Sequence, residues 1–212
     1  MARAKVGEME LEYETFGSPE DPALLLVMGL GAQLIHWPAK FCQMLADGGF
    51  QVIRFDNRDA GLSTKLDGVE VDFVALVAAA LEGREVSDTP YDLSDMSEDA
   101  FGILDDLGIE KAHIVGASLG GMIAQTMAIE RPSRVISLTS IMSATGTREI
   151  LGIPDESLAL LLAPAPTERS AYLEYQDQYA IWCSKKYFDA DLAREYAAAS
   201  YDRSHYPDGS GR

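Results

Sequence analysis

Apolar and polar residues alternate along this chain in two rhythms, and the points where the rhythm changes mark the elements. Met9 to Phe16 reads Met-Glu-Leu-Glu-Tyr-Glu-Thr-Phe, a period of two that predicts an antiparallel edge strand with one wet face. Gly17 to Pro22 closes it as a turn. Ala23 to Met28 is apolar at every position, as expected of a central parallel strand covered by helices on both faces. A glycine-rich loop, Gly29-Leu30-Gly31-Ala32-Gln33, comes next, then a helix that Pro38 can start and Gly48-Gly49 would stop. Gln51 to Phe55 reads as a second parallel strand, ending at Asp56.

The same alternation of strand and helix continues. Val71 to Leu81 is an alanine-rich helix candidate, and Met96, Ala100, Ile103, Leu104 and Leu107 recur at helical steps, with Asp92 or Ser94 as N-cap and Gly108 as stop. Ala112 to Val115 predicts a short buried strand. Met122, Ile123, Met127 and Ile129 give a helix apolar on most sides, ended by Arg131-Pro132, and Val135 to Met142 reads as a further buried strand. The fold class is therefore α/β, a mostly parallel open sheet flanked by helices. From Ala144 onward only helical patterns remain, over Asp155 to Leu162, Thr167 to about Ser184 and Asp189 to Tyr201. This divides the chain into a core, residues 1–143, and a helical segment, residues 144–212, with aromatic apolar faces. The segment fits a lid over an apolar pocket and equally fits helices docked on the sheet; the two do not exclude each other.

Composition narrows the function classes. The chain has 212 residues, 47% of them apolar, enough for a substantial core. Its 34 acidic and 17 basic residues leave a formal charge of -17, which opposes binding to nucleic acid or an anionic membrane surface. The start, Met1 to Glu8, lacks the apolar stretch of a secretory signal, and the longest apolar runs, Ala23 to Leu30 and Val74 to Leu81, are too short to span a bilayer. Cys42 and Cys183 lie far apart and read as reduced thiols, so the expected compartment is the cytoplasm. No metal-ligand spacing is present, and neither metal nor cofactor is expected.

Candidate chemistry sits where the Ala112 strand meets the next helix, at Gly116-Ala117-Ser118-Leu119-Gly120-Gly121. Gly-X-Ser-X-Gly between a buried strand and a helix has the form of a nucleophile elbow, with the serine hydroxyl raised over the sheet edge. Gly116 and Gly120 are expected to be glycines because strand and helix approach too closely for a Cβ, and the helix N-terminus turns free N–H groups, from Leu119 on, toward the serine. The loop Asp56-Asn57-Arg58-Asp59-Ala60-Gly61-Leu62-Ser63 reads as a hydrogen-bonded turn in which Asp56 and Arg58 are structural partners. A dinucleotide-binding reading of Gly29-Leu30-Gly31 is disfavoured, since Leu34 occupies the third glycine position, where helix packing needs a small residue.

With Met28-Gly29-Leu30-Gly31 after one strand, Phe55 to Ser63 after the next and Gly116 to Gly121 at the elbow, the chain resembles the α/β-hydrolase superfamily, and within it the small bacterial serine esterases related to aclacinomycin methylesterase. The resemblance runs from about Val6 through Ser200-Tyr201-Asp202-Arg203-Ser204-His205-Tyr206-Pro207. It implies that Ser118 is the nucleophile and that the backbone N–H groups of Leu30 and Leu119 form the oxyanion hole; Met28 stands where many relatives carry histidine. The aromatic, apolar lid segment favours a small hydrophobic ester as substrate. The family also places an acid after a later strand and a histidine after the final one. The sequence ends before either, so the expectation is an α/β-hydrolase fold lacking its last two strands, with the triad acid and histidine not present in this chain.

The three histidines do not fill the gap well. His113 lies about five residues below Ser118 on the same strand, too far at ~3.3 Å per residue. His36 and His205 remain as improvised bases, and Asp105 or Asp155 as an acid only by counting along the chain. Without a base the chain alone is expected to be inactive or strongly impaired. The rival reading is a non-catalytic hydrolase-like module that binds a small apolar ligand or a protein partner. Strand 135–142, interior in the full fold, is expected to present a bare edge to a completing chain or a second copy. Sedimentation velocity should accordingly show self-association or a bound partner, and a monodisperse stable monomer would contradict it.

Overall fold

Five consecutive apolar residues, Ala23–Val27, cannot face water on either side, and in the computed structural model they form the strand at the centre of the sheet, every one of them buried. The structure describes residues 2–72, 75–76, 79, 82–84, 89–146 and 155–211. In chain order the strands are β1 (Ala2–Val6), β2 (Met9–Phe16), β3 (Ala23–Val27), β4 (Gln51–Phe55), β5 (Ala112–Ala117) and β6 (Val135–Ile141). The helices are α1 (Ala39–Asp47), α2 (Leu93–Asp106), α3 (Leu119–Glu130), α4 (Asp155–Leu162), α5 (Arg169–Asp177) and α6 (Ala190–Ser204). The sheet order is β1-β2-β4-β3-β5-β6, antiparallel over β1, β2 and β4 and parallel from β4 to β6.

Both faces of the sheet are covered. On one, Phe101, Ile103 and Leu104 of α2 and Ile123 and Met127 of α3 pack on Leu25, Ile53, Phe55 and Ile114. On the other, Trp37 with Cys42 and Ala46 of α1 packs on Leu24, Leu26 and Val52. The helix α2 begins at Asp92, not Ser94: the Asp92 carboxylate accepts from the N–H of Ser94 at 2.7 Å and of Asp95 at 3.1 Å, and Asp95 returns a bond to Asp92 N–H at 2.9 Å. This reciprocal box satisfies donors that a helix start leaves free. Both cysteines are free thiols, Cys42 buried and Cys183 exposed. Among the described residues no helix is long and apolar enough to cross a membrane.

Two strand expectations need correction. The strand Met9–Phe16 is interior, because Ala2–Val6 folds back on it with Val6 opposite Met9 and Arg3 binding Glu12 across the pair at 2.9 Å. Five residues with two cations gave no strong strand signal. The strand Val135–Ile141 is not buried: Ile136 is 46% and Leu138 39% exposed, since among the described residues no strand pairs with its far side. Its apolar composition suits an interior position that it does not occupy here. The helix expected over Val71–Leu81 lies largely outside the described residues.

The loop after β4 is fastened to α2 by a buried ion pair. Arg58 Nε and Nη2 donate to the two carboxylate oxygens of Asp99 at 2.6 and 2.9 Å, and the guanidinium lies over the Tyr91 ring, 5.1 Å from its centroid. Removing one member leaves the other buried and unpaired, so Arg58→Met should destabilise the fold by about 3–5 kcal/mol in urea titration. The double replacement Arg58→Met with Asp99→Leu should recover much of that loss; equal losses in the single and double variants would contradict the pair's role.

Candidate active site

The turn between β5 and α3 forces Ser118 to φ 54° and ψ -121°, a conformation that costs an L-residue on the order of 1–3 kcal/mol. Neighbouring backbone holds it there. A Cβ on Gly116 would lie 2.0 Å from the Gly120 carbonyl oxygen, and one on Gly120 would lie 2.2 Å from that of Val27, so only glycine permits the contact. The expected close approach of strand and helix is present. Ser118 N–H donates to the Ile141 carbonyl at 2.9 Å, and its own carbonyl accepts from Gly121 N–H at 2.9 Å as the helix begins. The side chain is exposed, and among the described residues it has no hydrogen-bond partner.

The loop after β3 passes over this serine: a Cβ on Gly29 would sit 3.1 Å from Ser118 Cβ. Ala32 N–H closes a turn on the Gly29 carbonyl at 3.3 Å, which leaves Leu30 at the turn's corner. Two residues at the end of β4 hold the loop at both ends. Asn57 Nδ2 donates to the Met28 carbonyl at 2.9 Å, and Leu34 N–H donates to Asp56 Oδ1 at 2.6 Å. Among the described residues neither the Leu30 nor the Leu119 N–H has an acceptor, and both residues line one cavity of about 210 Å³ with Arg58, Tyr91, Leu93 and Met96. A second cavity, of about 360 Å³, adjoins it at Leu30 and Gly31 and is walled by Tyr172, Tyr179, Phe188 and Tyr196 from the helical segment.

None of the histidines is bonded to Ser118. His113 Nδ1 lies 2.7 Å from Ser137 Oγ, its ring edge-on to Phe50. His205 Nε2 lies 2.8 Å from the Pro166 carbonyl, an acceptor, so this nitrogen carries the proton; the ring stacks on Tyr201 and meets Tyr172 at 4.7 Å. His36 accepts at Nδ1 from Gln33 N–H at 3.1 Å. Burial pushes the His36 imidazole below its ordinary value of 6.5, against the opposing pull of the Gln33 carbonyl, which lies 3.1 Å from Nδ1 and can accept its proton, and of Asp56. The acids fare no better: Asp105 pairs with Arg134 at 2.6 Å, and Asp155 opens α4.

Asp56 and Arg58 both sit in structural ion pairs, but not as partners of one another as expected; each takes a partner that the sequence did not disclose. Arg58 takes Asp99, and Asp56, fully buried, takes Arg203 from the last turn of α6 at 2.8 Å. Gln33, also buried, bonds the same helix end. Neither Gln33 nor Arg203 stands in a motif, and no local spacing marks them; only the fold brings them within reach.

A family model described as "alpha/beta hydrolase fold" matches residues 22–204. The chain is 35% identical over 135 residues to rhodomycin D methylesterase DauP of Streptomyces sp. (strain C5), covering 64% of this chain and 39% of that protein. It is 29% identical over 217 aligned positions to rhodomycin D methylesterase DnrP of Streptomyces peucetius, covering 92% of this chain and 67% of that one. Among solved structures, the 2-hydroxy-6-oxo-6-phenylhexa-2,4-dienoate hydrolase of Rhodococcus sp. strain RHA1 superposes with a TM-score of 0.70 at 20% identity, over 99% of this chain and 68% of that one. At that identity the likeness is one of fold. The chain thus spans from 39% to 68% of the length of these three proteins.

The lowered His36 value has a consequence for acid stability. Folded His36 resists protonation, so its contribution is complete above the unfolded value of 6.5 and is lost as pH falls from there to the folded value. His36→Gln should therefore flatten the fall in urea midpoint between about pH 7.5 and pH 5. Parallel curves for the two proteins would contradict it.

Proposed function

The chain belongs to the α/β-hydrolase fold family, and on that footing we propose that it is the nucleophile-bearing part of a serine hydrolase acting on carboxylic esters. The observation that carries this reading is Ser118, held exposed at φ 54° against Gly29 and directly before Leu119, while among the described residues neither the Leu30 nor the Leu119 N–H has an acceptor. A binding module has no need for a strained serine. In the proposed reaction Ser118 Oγ attacks the ester carbonyl carbon as a histidine takes its proton. The oxygen that gains charge is met by the two N–H groups; the alcohol departs with that proton, and water then cleaves the acyl-enzyme.

The histidine is proposed to come from outside these residues, because His36, His113 and His205 are each engaged elsewhere. Loss of a triad member costs about a millionfold in turnover in a well-studied serine protease, so the chain alone is expected to be nearly inactive. Residues 144–212 are read as the lid. The tyrosine and phenylalanine wall of the larger cavity favours a hydrophobic ester, in keeping with two relatives named as methylesterases. The bare edge of β6 is read as the seat of the completing chain or of a second copy.

The engaged histidines also favour a second reading, a module that binds a small apolar ligand or a protein partner without catalysis. A fluorophosphonate probe separates the two when applied with and without a segment, taken from a relative, that carries the later strands with their acid and histidine. Labelling that needs the segment and disappears in Ser118→Ala supports the severed esterase. No labelling under either condition supports the binding module, and strong labelling of the chain alone would overturn the external base.

A further inference from the structure

The helical segment and the Leu30 loop are tied together through one buried carboxylate. Asp56 accepts Leu34 N–H at Oδ1 (2.6 Å), and at Oδ2 both Leu62 N–H and Arg203 Nη1 (2.8 Å each). Arg203 Nη1 also donates to Gln33 Oε1 at 2.8 Å, and Gln33 Nε2 donates to the Ser200 and Ser204 carbonyls at 2.7 and 2.8 Å. Both carbonyls lie in the last turns of α6, and that of Ser204 is among those for which intrahelical donors have run out. The carboxylate is enclosed: a Cβ on Gly61 would lie 2.1 Å from Asp56 Cγ. Gln33 and Leu34 are consecutive, so α6, through Gln33, and Asp56 at the end of β4, through Leu34, grip adjacent residues of the loop that carries Leu30.

We infer that Gln33 and Arg203 form a latch through which the seating of α6 sets the position of the Leu30 N–H, making Arg203 a positioning residue for the oxyanion hole. The catalytic half of this statement rests on the proposed role of Leu30; the mechanical half does not. With Arg203 withdrawn, the Asp56 carboxylate at zero exposure is left with two N–H donors among the described residues, which is destabilising. Admitting water relieves that cost, and the way in is for the Leu34 and Leu62 loops to give. Lifting of α6 has the same result, because it removes Arg203 and both Gln33 acceptors at once. Coupling of this kind runs in both directions: a loop held in place by bound substrate favours the seated helix.

Amide hydrogen exchange on the 212-residue chain tests the latch without substrate. In Arg203→Met the Leu34 and Leu62 amides should exchange at least about tenfold faster, together with α6, while β1 and β2 are unchanged. Arg203→Lys, which keeps the charge but loses the planar fork, should fall between. If α6 alone quickens and the Leu34 and Leu62 amides stay within about twofold of the parent, Arg203 merely anchors the helix and the latch is wrong. Should Arg203→Met lose protection throughout, Gln33→Met, which deletes only neutral bonds, is judged by the same two criteria. The exchange pattern is expected to be identical in a Ser118→Ala background, so failure of the esterase reading leaves this result standing. In a completed assembly that cleaves an aryl ester, Arg203→Lys should lower kcat with KM unchanged; a rise in KM alone would overturn the positioning role.

Discussion

Three backbones in direct contact set the conditions for everything at this site. The carbonyl of Val27 at the end of β3 meets Gly120 at the start of α3, and Gly120 in turn meets Gly116 in β5. No side chain fits between them, so the strand-to-helix turn has no slack and Ser118 has only the left-handed conformation left to it. The strain is sustained by the burial of Ile114, Ile123 and Met127 on either side of the turn, each wholly inside the core. Apolar packing of a strand and a helix thus supplies the free energy that holds one exposed hydroxyl in an unfavourable geometry.

Sheet topology explains why the other polar groups collect at the same place. The chain leaves β3 for α1 on one face and leaves β5 for α3 on the opposite face, while β3 and β5 are parallel neighbours. Their loops therefore diverge at the carboxyl ends of the strands and open a crevice between them, the general location of ligand sites in open α/β sheets. Gly29 and Leu30 line one side and Leu119 the other, with Ser118 close against Gly29. From the next strand, β4, Asp56 and Asn57 reach the loop on the β3 side and fix it at Met28 and Leu34. The larger cavity that adjoins this crevice at Leu30 takes part of its wall from α6, through Tyr196, Ala197, Ser200 and Ser204.

What could be read in the residues alone were the features in which a local physical demand permits few residue types. Backbone contact admits only glycine, so Gly116 and Gly120 announce the elbow; a strand buried on both faces admits only apolar residues, so Ala23–Val27 announces the sheet centre; a helix start needs a short acceptor, so Asp92 and Ser94 together announce the start of α2, and the structure selects Asp92. The attachments of α6 are different in kind. Gln33 and Ser204 are separated by 171 positions, and neither type is unusual where it stands. The partners of Asp56 and Arg58 were hidden for the same reason. Ala2–Val6 escaped notice because its strand character comes from pairing with Met9–Phe16 and not from its own pattern. The bare edge of Val135–Ile141 was legible only through the family resemblance, because exposure is a property of its neighbours and its own apolar pattern reads as buried.

The position of β6 links its bare edge to the chemistry at Ser118. β6 runs parallel to β5, and its last residue, Ile141, accepts the Ser118 N–H, so the carboxyl end of β6 lies level with the elbow. A strand joining the free edge of β6 in the same direction would end at that level too, and residues just beyond it would emerge beside the serine. A strand joining in the opposite direction would bring its amino end there. In either case the contact that covers Ile136 and Leu138 also delivers new side chains to the rim of the crevice, which none of the histidines in this chain serves. Burial of the apolar edge and supply of a base to Ser118 would then be a single association event, with its driving force in the edge and its chemical effect at the elbow.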